Sequence, residues 1–509
     1  MGLHPKREIQ SIFSGIKTKA LEGNLTFFVT TQVEVERKRK KAKNDNVGCM
    51  TESEKDQKII ALEKENKALR ERIAELERRM GLNSENSSKP PSSDGLKKKN
   101  HRTKSLRDKS KRKTGGQKGH RGYTLEQVAE PDRLVKYSAP DSCWGCGCDV
   151  STERVVSVIK RQVFDIPEPR IEVTEHQIEI KRCPRCQQKL QGCFPEAVKA
   201  PVQYGGRVKA VLTYLQHQHF IPENRLSEIL QDVFGCRMSE ATIANTSQWL
   251  AEAITPVVEK LASEVKTAPV KHLDETGFRV AGKTQWLHVV STETMTWYRI
   301  ASKRKDLDSL TGIRGVVVHD HWKPYYQLKN VLHQFCNAHH LRELKALTEI
   351  ENEDWAKSMK QLLSLANKYR NRYPKTIPKP IETRLKRLYQ SIISRGLNFH
   401  LCQPPLVRQG NRGRIKRRVG HNLLLRLQNF ALDVLRFLNQ VDIPFTNNQA
   451  ERDLRMMKCK QKISGCFRCA DRAFDFAQIR SVLSTAKKQN LNLLQVLTQV
   501  FSGQLPVFS

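Results

Sequence analysis

The sequence has no apolar run near the roughly 20 residues that a helix needs to cross a bilayer, which excludes a helical membrane span. It also has no convincing signal peptide: Leu25-Thr26-Phe27-Phe28-Val29-Thr30 is too short for an apolar leader core and lies too far inside the chain. Acid is scarce too. Asp and Glu total 53 against 89 Lys and Arg, a formal net charge of +36. An imbalance of this sign points to a polyanionic partner, because basic side chains release counterions from phosphates without reading sequence. The 38% apolar content excludes a wholly disordered basic tail, and 509 residues leave room for several domains with their own cores. The 13 cysteines include C-x2-C pairs, which in a reducing compartment point to metal and not to disulfides.

Residues 1–50 show no period and end in the basic run Arg37-Lys38-Arg39-Lys40-Lys41; they read as a disordered or spurious leader, with the working protein starting at Met50. A heptad follows over 55–82, with Ile59, Asn66, Ile73 and Met80 at a and Leu62, Leu69 and Leu76 at d. Ile at a with Leu at d favours a parallel two-stranded coil, and one Asn at a fixes its register. The flanks match in sign: Lys58 with Glu63, Glu65 with Arg70 and Arg72 with Glu77 of a second copy. A homodimeric zipper is therefore expected. Residues 83–125 read as a flexible basic linker. Its cationic tract contains Lys97, Lys98, Lys99, Arg102, Lys111, Arg112 and Lys113, expected to follow a DNA backbone.

Cys143 with Cys146, and Cys183 with Cys186, form two thiolate pairs suited to one closed, structural zinc site in a domain spanning 130–200. Cys148 is close enough to replace Cys146. Strand-like stretches Val155–Val158 and Ile171–Ile180 would make this domain ribbon-like. Over 201–262 the pattern is helical: Gly235 closes an amphipathic helix and Ser239 caps the next, a helix-turn-helix spacing that suits either a DNA reader or a structural hairpin.

From 266 to 344 the period turns to strands, at Val270–Leu273, Gln285–Val290, Trp297–Ile300 and Gly315–His319. The last is a continuous apolar run, which implies burial on both faces. Asp274 and Asp320 each stand at the end of a short, strand-like run. Glu275 rivals Asp274, but alternation on a strand turns it to the other face. After a helical stretch at 345–440, the 441–509 segment carries Asn447 or Asn448 as a helix cap, Glu451 in the first turn, and Arg452, Arg455 and Lys458 behind it as candidate DNA contacts. Three acids on separate elements suit hard divalent cations, Mg²⁺ or Mn²⁺, and two such ions suit phosphodiester chemistry. Cys336 and His339 lie on one helical face, as a packing pair, a supporting pair or half a metal site. Cys466-Phe467-Arg468-Cys469 is a weaker C-x2-C.

These motifs carry a resemblance. Leu273-Asp274-Glu275-Thr276, His319-Asp320 with Trp322-Lys323-Pro324-Tyr325, Cys336-Asn337-Ala338-His339 and Asn447-Asn448-x-Ala450-Glu451-Arg452 resemble bacterial transposases of the insertion sequence sixty-six type, members of the DDE (Asp-Asp-Glu) class. The resemblance implies a multidomain α/β chain whose RNase H-like core is split by a helical insertion. It places Asp274, Asp320 and Glu451 on the family's catalytic acids, and Cys143, Cys146, Cys183 and Cys186 on its zinc ligands. It implies a cytoplasmic, nucleoid-associated enzyme that cuts terminal inverted repeats and joins 3'-OH ends to target DNA, with accessory transposition proteins as candidate partners. The alternatives are a zinc-containing DNA-binding regulator and a catalytically decayed copy. One departure is Arg472, where similar sequences carry Gly; a distorted turn is expected there.

Overall fold

The computed structural model describes residues 51–87, 119, 124–408 and 414–509. The leader 1–50 and the cationic tract from Lys97 to Lys113 lie outside the described residues. The chain divides into two compact units, whose described parts are 51–81 with 403–408 and 414–418, and 82–87, 119, 124–402 and 419–509.

The first unit is dominated by α1, Glu52–Gly81. A capping box starts it: the Thr51 N–H donates to the Glu54 carboxylate at 3.0 Å, and the Glu54 N–H to the Thr51 hydroxyl at 3.4 Å. No residue of α1 is buried, and the heptad residues Leu62 and Leu69 are 50% and 54% exposed.

In the second unit, residues 83–87 are anchored, which corrects the flexible linker expected from residue 83. Asn83 Oδ1 accepts from the N–H groups of Glu85 (2.8 Å) and Asn86 (3.2 Å), and Lys345 pairs with Glu85 at 2.6 Å. The cysteine-rich stretch holds a two-stranded antiparallel ribbon, β1 (Ile180–Arg182) with β2 (Lys189–Gln191), and an isolated bridge between Ser142 and Asp149. Val155–Val158 and Ile171–Glu179 are not strands. Their β-branched residues fit a strand, but no neighbouring strand offers a hydrogen-bonding edge, and Val156 stands 99% exposed.

Helix α2 (Gly206–Thr213) runs into a π turn at Tyr214–Gln218. Helix α3 (Glu223–Phe234) ends at Gly235, whose φ of +62° is the left-handed conformation that a helix stop of this kind takes. Helix α4 (Glu240–Ala253) begins at Ser239, whose hydroxyl accepts from the Thr242 N–H at 3.2 Å. Leu212, Leu226, Leu230, Met238 and Ile243 close a small core between these helices. Helix α5, Thr255–Thr267, then leads to the sheet.

The sheet has five strands: β3 (Val270–Val280), β4 (Lys283–Ser291), β5 (Thr296–Ala301), β6 (Gly315–His319) and β7 (Val331–Phe335), in the order β5-β4-β3-β6-β7. β3, β4 and β5 form an antiparallel meander, while β6 and β7 join parallel to β3 and to each other. Strand β3 runs well past Leu273, and β7 is an addition to the strands read from sequence. Gly315 at the start of β6 is obligatory: at φ +80°, an added Cβ would lie 2.6 Å from the Pro269 carbonyl oxygen.

Beyond β7 come α6 (Asn337–Ile350), α7 (Asp354–Arg372), α8 (Lys379–Leu401), α9 (Val419–Asn429) and α10 (Ala431–Leu435). Trp355, Met359, Tyr389, Leu424 and Phe437 give them a core of their own, which extends to Phe335 of β7. Then α11 (Asn448–Ser464) and α12 (Ala470–Lys488) return to the sheet, and α13 (Leu493–Phe501) packs beside α2 and α4. One sheet face, with Phe278, Leu287, Val289 and Tyr298, packs on Ala450, Leu454, Met457 and Phe476 of α11 and α12. The other, with Leu273, Val290 and Val317, packs on Val265 of α5, Leu310, Ile313 and Tyr325. The turn expected at Arg472 is absent: the residue is helical, and its guanidinium donates to the Ala244 carbonyl (2.9 Å) and Asp475 (3.2 Å). The positive φ in this passage, +69°, belongs to Gly465.

Candidate active site

Alternation along β3 fixes which acid faces which layer. Phe278 packs against α11, so the even-numbered residues, Asp274 among them, face that helix. Leu273 and Glu275 face the opposite layer. His272 pairs with Val318, the last such pair between β3 and β6, and Asp320, two residues beyond Val318 and just past the end of β6, lies close enough for its charge to act on Asp274. Asp274 therefore lies within a long strand, at the point where its parallel pairing with β6 stops, and not at a strand end as expected. The Asp320 carboxylate accepts from the Trp322 N–H at 3.0 Å, which fixes the turn beyond β6.

Glu451 comes from the first turn of α11, and the residue that aims this helix is Asn447. Its expected role as a side-chain cap is not what the structure has, since the side chain makes no cap bond. Instead Oδ1 bonds His272 Nδ1 at 2.8 Å, and Nδ2 donates to the Leu273 carbonyl at 2.8 Å. The Asn447 N–H donates to Cys336 Sγ at 3.1 Å, and the Asn337 N–H to the Phe445 carbonyl at 3.0 Å. The start of α11 is thus bound both to β3 and to the β7–α6 junction. From α6, His339 Nδ1 and Arg342 approach the Glu451 carboxylate at 4.0 and 3.9 Å.

Burial first, then the charges of Glu275, Asp320 and Glu451, push the Asp274 carboxyl well above the usual carboxylate range, against one favourable bond from the Glu275 N–H. Several acids in one partly enclosed place raise one another in this way, and a cation among them would relieve the strain. Every donor is a carboxylate oxygen, which fits a hard ion such as Mg²⁺. Burial also works against charge on His339, but Cys336 and Glu451 outweigh it and push the imidazole up to about 9. On the other face, Glu275 is held by Tyr325, which donates at 2.5 Å, and by Arg304, whose Nε donates at 2.8 Å. Arg304 lies between the rings of Trp286 and Trp322, 5.2 and 4.7 Å from their centroids. Nothing in the sequence marks Arg304 as Glu275's partner, and Tyr325 stands inside a motif with no role of its own, whereas for His339 a supporting pair and half a metal site are both open readings.

The other predicted residues fall elsewhere. Arg452 and Arg455 are exposed on α11, whereas the Lys458 ammonium donates to the Gly277 carbonyl at 3.0 Å. Cys143 heads a turn in which its carbonyl accepts from the Gly147 N–H at 2.9 Å, and Cys183 heads a matching turn closed by the Gln187 N–H at 2.9 Å. Both turns present their thiols locally: Cys146 Sγ lies 3.2 Å from Cys148 Sγ, and Cys186 hydrogen-bonds Cys183 and holds its thiol below the ordinary range. Among the described residues, the group of three metal-ligating side chains with ligand atoms mutually within 4.8 Å is Cys336, His339 and Glu451. The structure does not gather Cys143, Cys146, Cys183 and Cys186 into one such group. Cys466 and Cys469 are exposed and join no such group either.

Comparison with known families gives three matches. The model described as the Transposase IS66 family matches residues 201–474, more than half of the chain. A second, the zinc-finger binding domain of transposase IS66, matches residues 140–187, which include all four predicted zinc cysteines and Cys148. A third, a family of unknown function, matches residues 35–126. None of the curated proteins matches the chain.

Proposed function

The chain belongs to the Transposase IS66 family, and on that premise we propose that Asp274, Asp320 and Glu451 are the catalytic acids of a DDE-type enzyme that cuts its element's ends and joins the freed 3'-OH strands to target DNA. The observation that carries this reading is the anchoring of the start of α11 to β3 by Asn447, bonded to His272 Nδ1 and the Leu273 carbonyl, which brings the Glu451 charge to bear on the buried Asp274 together with that of Asp320. Support for an RNase H-like core comes from the sheet, in which an antiparallel meander adjoins two parallel strands with Asp274 on the central strand β3.

Two Mg²⁺ or Mn²⁺ ions, when bound, would activate the attacking water or 3'-OH and stabilise the leaving oxygen. Asp274, within β3, and Asp320, just past the end of β6, are close enough for charge to act between them and are suited to a shared ion. Glu451 enters from α11, and Asn447 holds that helix start to β3, so the third carboxylate is aimed by buried hydrogen bonds and not by a loop. The exposed Arg452 and Arg455 are suited to DNA phosphates beside the acids. Zinc on Cys143, Cys146, Cys183 and Cys186 is structural in this reading, since four thiolates leave no open coordination position. The basic tract from Lys97 to Lys113 tracks the terminal repeats, and α1 pairs with a second copy through its bare heptad seam. The protein then works at the nucleoid. No described helix is long and apolar enough to cross a membrane.

An end-labelled terminal repeat incubated with full-length protein and Mg²⁺ or Mn²⁺ tests the proposal. Nicked and strand-joined products are expected, with Asp320→Ala and Glu451→Gln reduced by about 10³-fold or more, the several kcal/mol that carboxylate-held ions supply. An Asp320→Ala protein that nicks as well as the parent overturns the reading. Binding without nicking by the parent favours the regulator or the decayed copy, and hydrolysis without joining identifies a structure-specific nuclease.

A further inference from the structure

Two atoms beside the proposed catalytic acids lack a hydrogen-bond partner. His339 Nδ1 and Glu451 Oε1 are both shut off from solvent and unbonded among the described residues. They face each other at 4.0 Å, too far for a hydrogen bond. Native structures rarely leave buried polar atoms unpaired, and an ion or water between them is one of the few explanations. The third member of the group is Cys336, whose side chain is buried at the β7–α6 junction. Its sulfur, an imidazole nitrogen of His339 and a carboxylate oxygen of Glu451 all lie within 4.8 Å of one another.

We propose that Cys336, His339 and Glu451 form a separate site for a borderline transition-metal ion, Zn²⁺ with Co²⁺ as its stand-in, and that filling this site withdraws Glu451 from the magnesium centre. Ligand chemistry separates the two centres. Mg²⁺ avoids thiolate and takes oxygen, whereas sulfur with imidazole selects zinc-like ions. Three protein ligands of mixed type leave a fourth position for water, the pattern of an open zinc site. Tetrahedral bonds of about 2.0–2.3 Å set ligand atoms roughly 3.3–3.7 Å apart, so closing the observed 4.0 Å needs a shift of only tenths of an ångström. The scaffold is stiff enough to hold such a site. Cys336 receives the Asn447 N–H at its sulfur and donates its own N–H to the His319 carbonyl at 2.8 Å, and His339 follows one turn later on α6. Arg342, 3.9 Å from the other Glu451 oxygen, stays available as a second contact to the carboxylate.

Metal binding here stands independently of the catalytic reading, whereas the braking effect rests on it, so the test has two arms. In the first, Co²⁺ is added to full-length protein carrying one equivalent of Zn²⁺ per chain, which four thiolates take ahead of a mixed three-ligand site, so that the Cys336 site is open to cobalt, and the thiolate-to-cobalt charge-transfer absorption is recorded. A band above that of Cys336→Ser is expected. It should weaken in His339→Gln and persist in Asp320→Ala, which loses only the proposed magnesium chemistry. Equal bands in the parent and Cys336→Ser, with both folded by circular dichroism, overturn the site whatever the activity does. In the second arm, Zn²⁺ is titrated into Mg²⁺-supported strand cleavage. Loss of the thiolate should raise the half-inhibiting Zn²⁺ concentration by about 10–100-fold. Unchanged inhibition in Cys336→Ser overturns the brake, while failure of the parent to cleave at all counts against the catalytic reading and leaves the cobalt result to decide the site.

Discussion

The α/β part of the molecule and the portion before residue 201 stabilise themselves by different means. Around the sheet, both faces are covered, and helices carrying Ala450, Leu454 and Met457 on one side and Val265 on the other bury it. In α1 no side chain is buried, and from 124 to 200 a three-residue ribbon and two cysteine turns are nearly all the regular structure. The difference teaches where each region's free energy comes from. Apolar burial supplies it in the first, at about 25 cal/mol per Å². The second has little burial of its own, and under the proposed function a metal would stabilise the cysteine turns and a second copy the heptad.

The largest expected effect follows from the cysteines. Structural zinc contributes on the order of 10 kcal/mol to small domains of this kind. Chelation should therefore open the 140–187 stretch to trypsin, with cuts at Lys181, Arg182 and Arg185, while the fragment from 201 onward resists. A digestion pattern that ignores the chelator would break the comparison, because the stretch would then hold itself together without metal.

Next is the zipper. Leu69→Glu puts two like charges into the expected seam and forfeits two buried leucines, each worth about 1.5–3 kcal/mol. Sedimentation should show the dimer constant weakened by about 10³-fold, with the thermal unfolding of the α/β part unmoved. A variant that stays dimeric would mean that another surface joins the copies, and α1 would then need a different explanation for its bare seam.

What could be read in the sequence divides along the same line. Local signals were legible: Gly235 and Ser239 end and start their helices as their chemistry requires, the continuous apolar run at 315–319 is a buried strand, and alternation separates Asp274 from Glu275. Contacts between distant segments were not. Arg304 reaches Glu275 across 29 residues and Asn447 reaches Leu273 across 174, and no periodicity encodes such pairs. Val155–Val158 shows the reverse error, since a strand needs a neighbour's edge and composition cannot supply one. Likewise Val331–Phe335 is a strand because β6 lies beside it, although its own residues alternate poorly.

Asn447 and Asn448 sharpen this point. Adjacent and chemically identical, they offer the sequence no means of choosing between them, yet Asn447 is 1% exposed and Asn448 is on the surface. Asn447→Ala strands the His272 ring nitrogen and the Leu273 carbonyl, each at a cost of about 1–3 kcal/mol. A loss of about 2–4 kcal/mol in denaturant unfolding is expected, together with weaker strand cleavage as Glu451 loses its aim. Asn448→Ala should stay within about 0.5 kcal/mol. Similar losses from both would show that the start of α11 is held by something other than the side chain bonded to β3.

The smallest effect probes the buried core through acid. His217, in the π turn after α2, is enclosed and bonds Ser247 Oγ at 2.9 Å. Burial, with Arg480 and Lys460 nearby, lowers its pKa to about 3. The unfolded chain takes up a proton near pH 6.5 that the folded one refuses until about pH 3, so the contribution of this residue is fully present above 6.5 and shrinks as the pH falls. Between pH 7 and pH 5 the loss is about 2 kcal/mol, from 1.36 kcal/mol per pH unit over the span below 6.5. His217→Gln keeps a polar side chain but cannot titrate. It should cost stability at pH 7, yet its denaturant midpoint should fall less than the parent's on acidification, by an amount equivalent to about 2 kcal/mol. Because zinc release acts equally on both proteins, the difference between their slopes belongs to the core alone, and parallel slopes would mean that His217 is already solvated before the fold opens.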